Sequence, residues 1–222
     1  MADEFKYEST HYPHLNAMTL PELMAYFQAE HLDEEGNEDW WAYEDTALLI
    51  RKLGSSIGIQ FLLETYKTIE STAQKRAILL ALTYRPALDM PQVHDLLLKS
   101  LDDPDDTIIM DAIDDFRHLE RFDLLDRVMT FKSHPSPYVR AAVLRFIGRL
   151  FPIQAVPMLI EAIHDPHFIP REEVADTIGE MDMEDDEKRQ LFLPYLQILL
   201  TDEHPDVQEA AETAIAFIEG TY

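Results

Sequence analysis

The chain contains no cysteine, which excludes disulfide staples, thiol nucleophiles and thiolate metal sites. Glycine is scarce, at 6 of 222 residues, so there is little material for a phosphate-cradling loop. No Gly-x-Gly-x-x-Gly, Walker-type or Gly-x-Ser-x-Gly sequence occurs. Cations are few: 18 Lys and Arg stand against 43 Asp and Glu, a formal net charge of -25. Binding a phosphate backbone needs surplus Lys and Arg, so no nucleic-acid partner is expected. No apolar run approaches the roughly 18 residues of a membrane span, and no membrane association is expected. The start, Met-Ala-Asp-Glu-Phe-Lys, has neither a basic region nor an apolar run, and a cytoplasmic chain is expected.

Apolar residues make up 46% of the chain, enough for a sizeable core. They recur at helical spacing, and period-2 alternation is rare. Thr19-Leu20-Pro21-Glu22 reads as a capping box, and Ser71-Thr72-Ala73-Gln74 as a second of the same form. At the C-terminal end Val207, Ala210, Ala211, Ala214, Ile215 and Ile218 form one stripe, with Glu209, Glu212 and Glu219 opposite.

The middle of the chain repeats. Pro104, Pro135 and Pro166 lie 31 residues apart, each in a short polar turn. At the same offset Ala112, Val143 and Val174 align, as do Phe116, Ile147 and Ile178. A fixed period in this range predicts stacked two-helix units, none of which buries its stripe alone. The next such turn, at Pro205, comes 39 residues later, with the extra length in an acidic loop over Asp182–Glu187. Upstream, 44–53, 57–69, 72–84 and 90–100 read as two more pairs. One domain is expected over 1–222, with an N-terminal helix and cap over 1–43 and helical repeats over 44–219.

Segment 137–166 resembles a HEAT repeat, in particular the short HEAT-like type also found in phycobilisome lyases. The features that carry the resemblance are Val139-Arg140, Ala142, Ile147-Gly148, the Ala155-Val156-Pro157 helix start and the Asp165-Pro166 turn. It extends with less similarity over 104–136 and 167–219. The family's Val-Arg pair occurs only at Val139-Arg140. Pro170 precedes Arg171, while Ile108-Ile109 and Val207-Gln208 lack the arginine. The resemblance implies an all-α, right-handed superhelix, a solenoid of about five stacked HEAT-like helical pairs. It also implies an inter-repeat arginine ladder, here interrupted, and a concave face lined by the second helix of each pair.

Charge along the chain is banded. Residues 102–126 hold ten acids and two arginines, whereas 127–160 hold five bases and no acid. On the implied concave face, Arg140, Arg145 and Arg149 are the candidates for an acidic contact. Asp111, Asp114, Asp115, Asp176 and Glu180 are the candidates for a basic surface, with Glu209 and Glu212 beyond them. A solvated acidic face that only keeps the chain soluble explains the same clusters.

His11-x-x-His14 and His164-Asp165-Pro166-His167 have ligand-like spacing. Because His134, His164 and His204 fall in inter-repeat turns, turn or cap roles are preferred, and no metal site is assigned. Asp102-Asp103-Pro104-Asp105-Asp106 lacks the glycine and glutamate of a calcium loop and reads as a turn with an Asp106 cap. Trp40-Trp41 reads as a cap over the first repeat or as an exposed anchor. No catalytic residue or cofactor is expected. The leading expectation is a non-enzymatic, monomeric protein-binding scaffold whose charged groove takes a protein with a basic surface, for instance an inhibitor or immunity-type protein. The alternative is a lyase-like HEAT enzyme or its accessory subunit.

Overall fold

A computed structural model describes residues 6–84 and 87–221, leaving out the side chains of Gly54, Ser55, Asp185 and Arg189. Met1–Phe5, read above for a leader, lie outside the described residues. Among the described residues all regular structure is helical, apart from one isolated β-bridge between Leu32 and Glu38. The fold is all-α, a succession of packed helices. It divides at Ile108/Ile109 into two compact units.

The first unit opens with a 3-10 turn at Pro13–Ala17, followed by α1 (Leu20–Gln28), α2 (Trp40–Tyr66), α3 (Thr72–Leu82) and α4 (Pro91–Ser100). At the start of α1 the Glu22 carboxylate accepts from both the N–H (2.8 Å) and the hydroxyl (2.7 Å) of Thr19, the expected capping box. At α3 only half of that motif forms. Ser71 Oγ accepts from the Gln74 N–H at 3.1 Å, but the Gln74 side chain reaches away to donate to the Phe27 carbonyl at 2.6 Å. That carbonyl ends α1 without a helical partner, so satisfying it outweighs closing the box.

Within its length α2 bends sharply. The Phe27 ring meets both Tyr43 (5.8 Å between centroids) and Phe61 (6.3 Å). In a straight helix residues 18 apart are separated by about 27 Å. A Cβ on Gly58 would stand 2.6 Å from the Ile50 carbonyl oxygen, an approach equally impossible along one straight axis. The chain therefore folds back between Ile50 and Gly58, with Leu53 and Ile57 exposed at the bend. The two helices expected at 44–53 and 57–69 are the two limbs.

The second unit takes over within α5 (Asp106–His118). It continues through a 3-10 turn at Phe122–Leu124, α6 (Leu125–Met129), α7 (Pro137–Leu150), α8 (Pro152–Ala162), α9 (Phe168–Glu180), α10 (Asp185–Leu199) and α11 (Pro205–Glu219). The acidic loop is shorter than expected: its last residues open α10, where the charge of Asp186 and Glu187 suits the positive end of the helix. Helices α7, α9 and α11 stack directly, and α8 and α10 pack behind them. Leu159, Val174, Phe192, Leu196 and Ala211 are fully buried between the layers, each large side chain contributing about 1.5–3 kcal/mol by leaving water.

Candidate protein-binding face and its arginine ladder

Four inter-repeat turns share one capping device. Asp103 Oδ1 accepts from the Asp105 N–H at 3.0 Å, Asp165 Oδ1 from His167 at 2.9 Å, and Asp202 Oδ1 from His204 at 2.9 Å. In the turn before α7, His134 Nδ1 takes the same place, accepting from Ser136 at 3.2 Å. His134 is thus a turn residue, as expected, but it corresponds to Asp165 and not to His164. His167 is a cap in its own right, its Nδ1 accepting from Ile169 at 3.2 Å. His204 makes no cap bond and stacks flat on Phe168, 3.6 Å between centroids. At the start of α5 the cap acceptor for the Thr107 N–H is Asp105 (2.9 Å), in place of the expected Asp106; an acceptor two residues back is the usual reach of an aspartate cap.

The ladder runs through these turns. Arg140 forks onto both oxygens of Asp165 (2.8 and 2.7 Å) and donates to the carbonyls of His134 (2.8 Å) and Pro135 (2.9 Å). Arg171 repeats the pattern one unit on, with both oxygens of Asp202 (2.7 and 2.8 Å) and the Asp165 carbonyl (2.9 Å). Pro170 in place of valine does not break it. Gln208 ends it, donating to the Asp202 carbonyl at 2.5 Å. The interruption lies at Ile109 and His134, where neither the arginine nor its aspartate is present. Arg140 holds Asp165 below the usual carboxylate range against the opposing effect of burial, and Arg171 does the same for Asp202. In the first unit Lys75 reaches Asp103 at 3.1 Å.

The remaining candidates gather on the face formed by α5, α7 and α9. Arg145 forks onto Asp114 (2.9 and 2.7 Å) and donates its third arm to Glu173. Glu173 also accepts from Thr177 Oγ1 at 2.9 Å. Glu173 had no signal at the 31-residue offset, because it sits one turn before the position matching Arg145. Burial keeps its proton affinity raised even so, outweighing Arg145 and Thr177, which lower it. Asp115 is pushed up to about 8, by burial and then by Asp111 and Asp114. Asp176 is raised by burial and by Glu180. Arg149 and Glu180 are exposed and line a cleft of about 470 Å³ with Arg117, His118 and Arg145. His118 accepts from Arg117 at 3.1 Å, since a guanidinium only donates.

The structure thus brings Arg145, Arg149, Asp111, Asp114, Asp115, Asp176 and Glu180 to one face, and places Arg140 apart, in the turn ladder. Glu209 and Glu212 are exposed on α11. In register they match Glu172 and Ala175 of α9, and Ala175 is buried. They therefore lie on the free side of the last helix and not in the expected groove. Among the described residues no group of three or more His, Asp or Glu is arranged to hold a metal ion, and no helix is long and apolar enough to cross a membrane.

In the first unit the Asp45 carboxylate, buried in α2, accepts from the hydroxyls of Tyr7 and Ser9. It pins the N-terminal segment to the helix. The Arg76 guanidinium lies 4.4 Å over the Trp40 ring, and His11 stacks on the half-exposed Trp41 at 4.5 Å.

Residues 125–216 match the family model for HEAT repeats, the stretch that contains the ladder. No curated protein matches the chain. An engineered protein of known crystal structure is 15% identical, with 91% of this chain and 98% of that one aligned at a TM-score of 0.52. The complex of CpcE and CpcF of phycocyanin lyase from a Nostoc species is 14% identical over 91% of this chain and 82% of that one, at a TM-score of 0.46. A designed armadillo repeat protein in complex with the peptide (KR)4 is 14% identical over 90% of this chain and all (100%) of that one, at a TM-score of 0.49. The family match places HEAT repeats in residues 125–216, and the first of these structures shares the fold.

Proposed function

We propose that the chain is a non-enzymatic protein-binding scaffold, and that the face of α5, α7 and α9 takes a partner with a basic surface. One observation carries this reading. Two of the three arginines expected to meet acidic groups are consumed internally: Arg140 by Asp165, Arg145 by Asp114 and Glu173. Exposed Asp176 and Glu180 are left as surplus negative charge. Arg149 is the cation of this face with no ion-pair partner among the described residues, and it supplies the acidic contact. Such complementarity sets association rate and specificity more than affinity. An inhibitor that masks a basic partner fits the same surface.

The test is affinity chromatography on the immobilised full chain with a salt gradient, repeated with Asp176→Lys, Glu180→Lys. Loss of a salt-eluted basic partner from the variant, at unchanged circular dichroism, supports the assignment. Retention of that partner by the variant sinks it.

A further inference from the structure

We propose that the cleft between the turns preceding α7 and α9 is a second binding site, one for an acidic peptide segment with apolar neighbours. The cleft encloses about 820 Å³, within the ~300–1,000 Å³ of typical ligand sites. Its walls are apolar: Val143, Leu144, Met158, Ala162, Pro166 and Pro170. Methionine adapts to irregular partners. The rim carries Lys132, His134, His164 and His167.

The chemistry of that rim follows from the caps. The Nδ1 of His134 and of His167 each accept a backbone N–H, so in the neutral ring the proton is on Nε2. Each imidazole therefore turns a donor edge away from the backbone. Lys132 is exposed and pairs with no carboxylate among the described residues. Of the two carboxylates lining the cleft, Asp165 is consumed by Arg140 and the His167 N–H, leaving Glu161 at the rim. The four turns carry Asp103, His134, Asp165 and Asp202 at one position. The single turn where a donor-bearing ring replaces the carboxylate is one of the two that border this cleft. The cap survives that exchange and the negative charge does not. In a chain of net charge -25, much of the cleft lining, from Lys132 to Met158, comes from the acid-free stretch 127–160. Donors over an apolar floor select a carboxylate flanked by apolar side chains. This inference stands apart from the basic-partner reading, which concerns the face of α5, α7 and α9.

The experiment uses the full chain, isotope-labelled for NMR, against an array of acetylated hexapeptides. Each places one Glu among Leu, Val, Pro and Ala, with a Gln counterpart. Glu peptides are expected to bind about tenfold tighter than their Gln counterparts, the worth of a charge-assisted hydrogen bond, and to shift the amides of Lys132, His164 and His167. Lys132→Glu is expected to abolish this binding, and Glu161→Gln to strengthen it. The gain from Glu161→Gln is a readout that misfolding does not mimic. Arg149→Glu, on the other face, is expected to leave it unchanged. Equal binding of Gln peptides, no binding by any member, or shifts confined to the face of α5, α7 and α9 would overturn the proposal. Equal affinity for 4-methylpentanoate, the apolar carboxylate alone, would overturn the peptide assignment.

Discussion

A methyl group added at Gly148 would overlap Thr177 Cγ2, across the contact of α7 with α9. Thr177 is β-branched and its hydroxyl is held by Glu173 at 2.9 Å, so it turns aside only by losing that bond. At Gly179, the matching position on α9, the added carbon would sit 3.6 Å from Ala214 Cα, an ordinary contact. Gly148→Ala is expected to cost about 1–3 kcal/mol by overpacking. Gly179→Ala is expected to be neutral, or stabilising by up to about 1 kcal/mol through helix propensity. Urea denaturation of the two variants checks the contrast. The carboxylates of the same face set a pH dependence. Asp115, at about 8, and Glu173, also raised, bind protons in the folded state that the unfolded chain has released above about pH 4. Their contribution to stability is therefore complete below about pH 4 and is lost as pH rises through the folded values. Asp165 and Asp202, held low, act oppositely and lose their contribution as pH falls below about 4. Melting temperature is expected to rise from pH 8.5 to pH 5.5 by a few degrees, and Asp115→Asn to flatten that slope; a flat profile in the parent chain would contradict the assignment.

Among the elements, the turns carry the most consequential bonds. Arg171 and Asp202 are nearly buried, with side-chain exposures of 9% and 10%. Arg171→Ala leaves that carboxylate and the Asp165 carbonyl without their donor, an expected loss of about 3–5 kcal/mol. Arg121→Ala, at a pair whose aspartate is 62% exposed, is expected to cost about 0–1 kcal/mol. Thermal melts of the two variants separate these values. The 31-residue spacing made the helices of the second unit and their core positions legible in the sequence, down to the interruption at Ile109. Asp165 was legible only as a turn residue, and Asp202 was not, because aligning the last turn on Pro205 shifts it two residues out of the slot that Asp165 fills. The partners of Arg145 were not: Asp114 and Glu173 meet it from two helices at different offsets, and only stacking distance decides which carboxylates a guanidinium reaches. The fold-back within α2 was legible as a gap between two apolar stripes. The redirected Gln74 was not, because its acceptor lies 47 residues away.

For the molecule as a whole, a net charge of -25 opposes the compact state through self-repulsion. Raising salt from about 0.01 M to about 0.15 M shortens the screening length from ~30 Å to ~8 Å. The melting temperature is expected to rise over that range, because the ladder pairs are shielded from solvent and lose little; a fall in calorimetry would mean that exposed ion pairs dominate. The Arg145 fork has a consequence for how the repeats find their order. The turns alone would accept α9 in the place of α7, since Arg171 grips its turn as Arg140 does. The face would not, because Asp176 stands where Arg145 does and would meet Asp114 charge against charge. A slip by one whole unit, the characteristic assembly error of a periodic chain, is thereby disfavoured from both sides of a single residue.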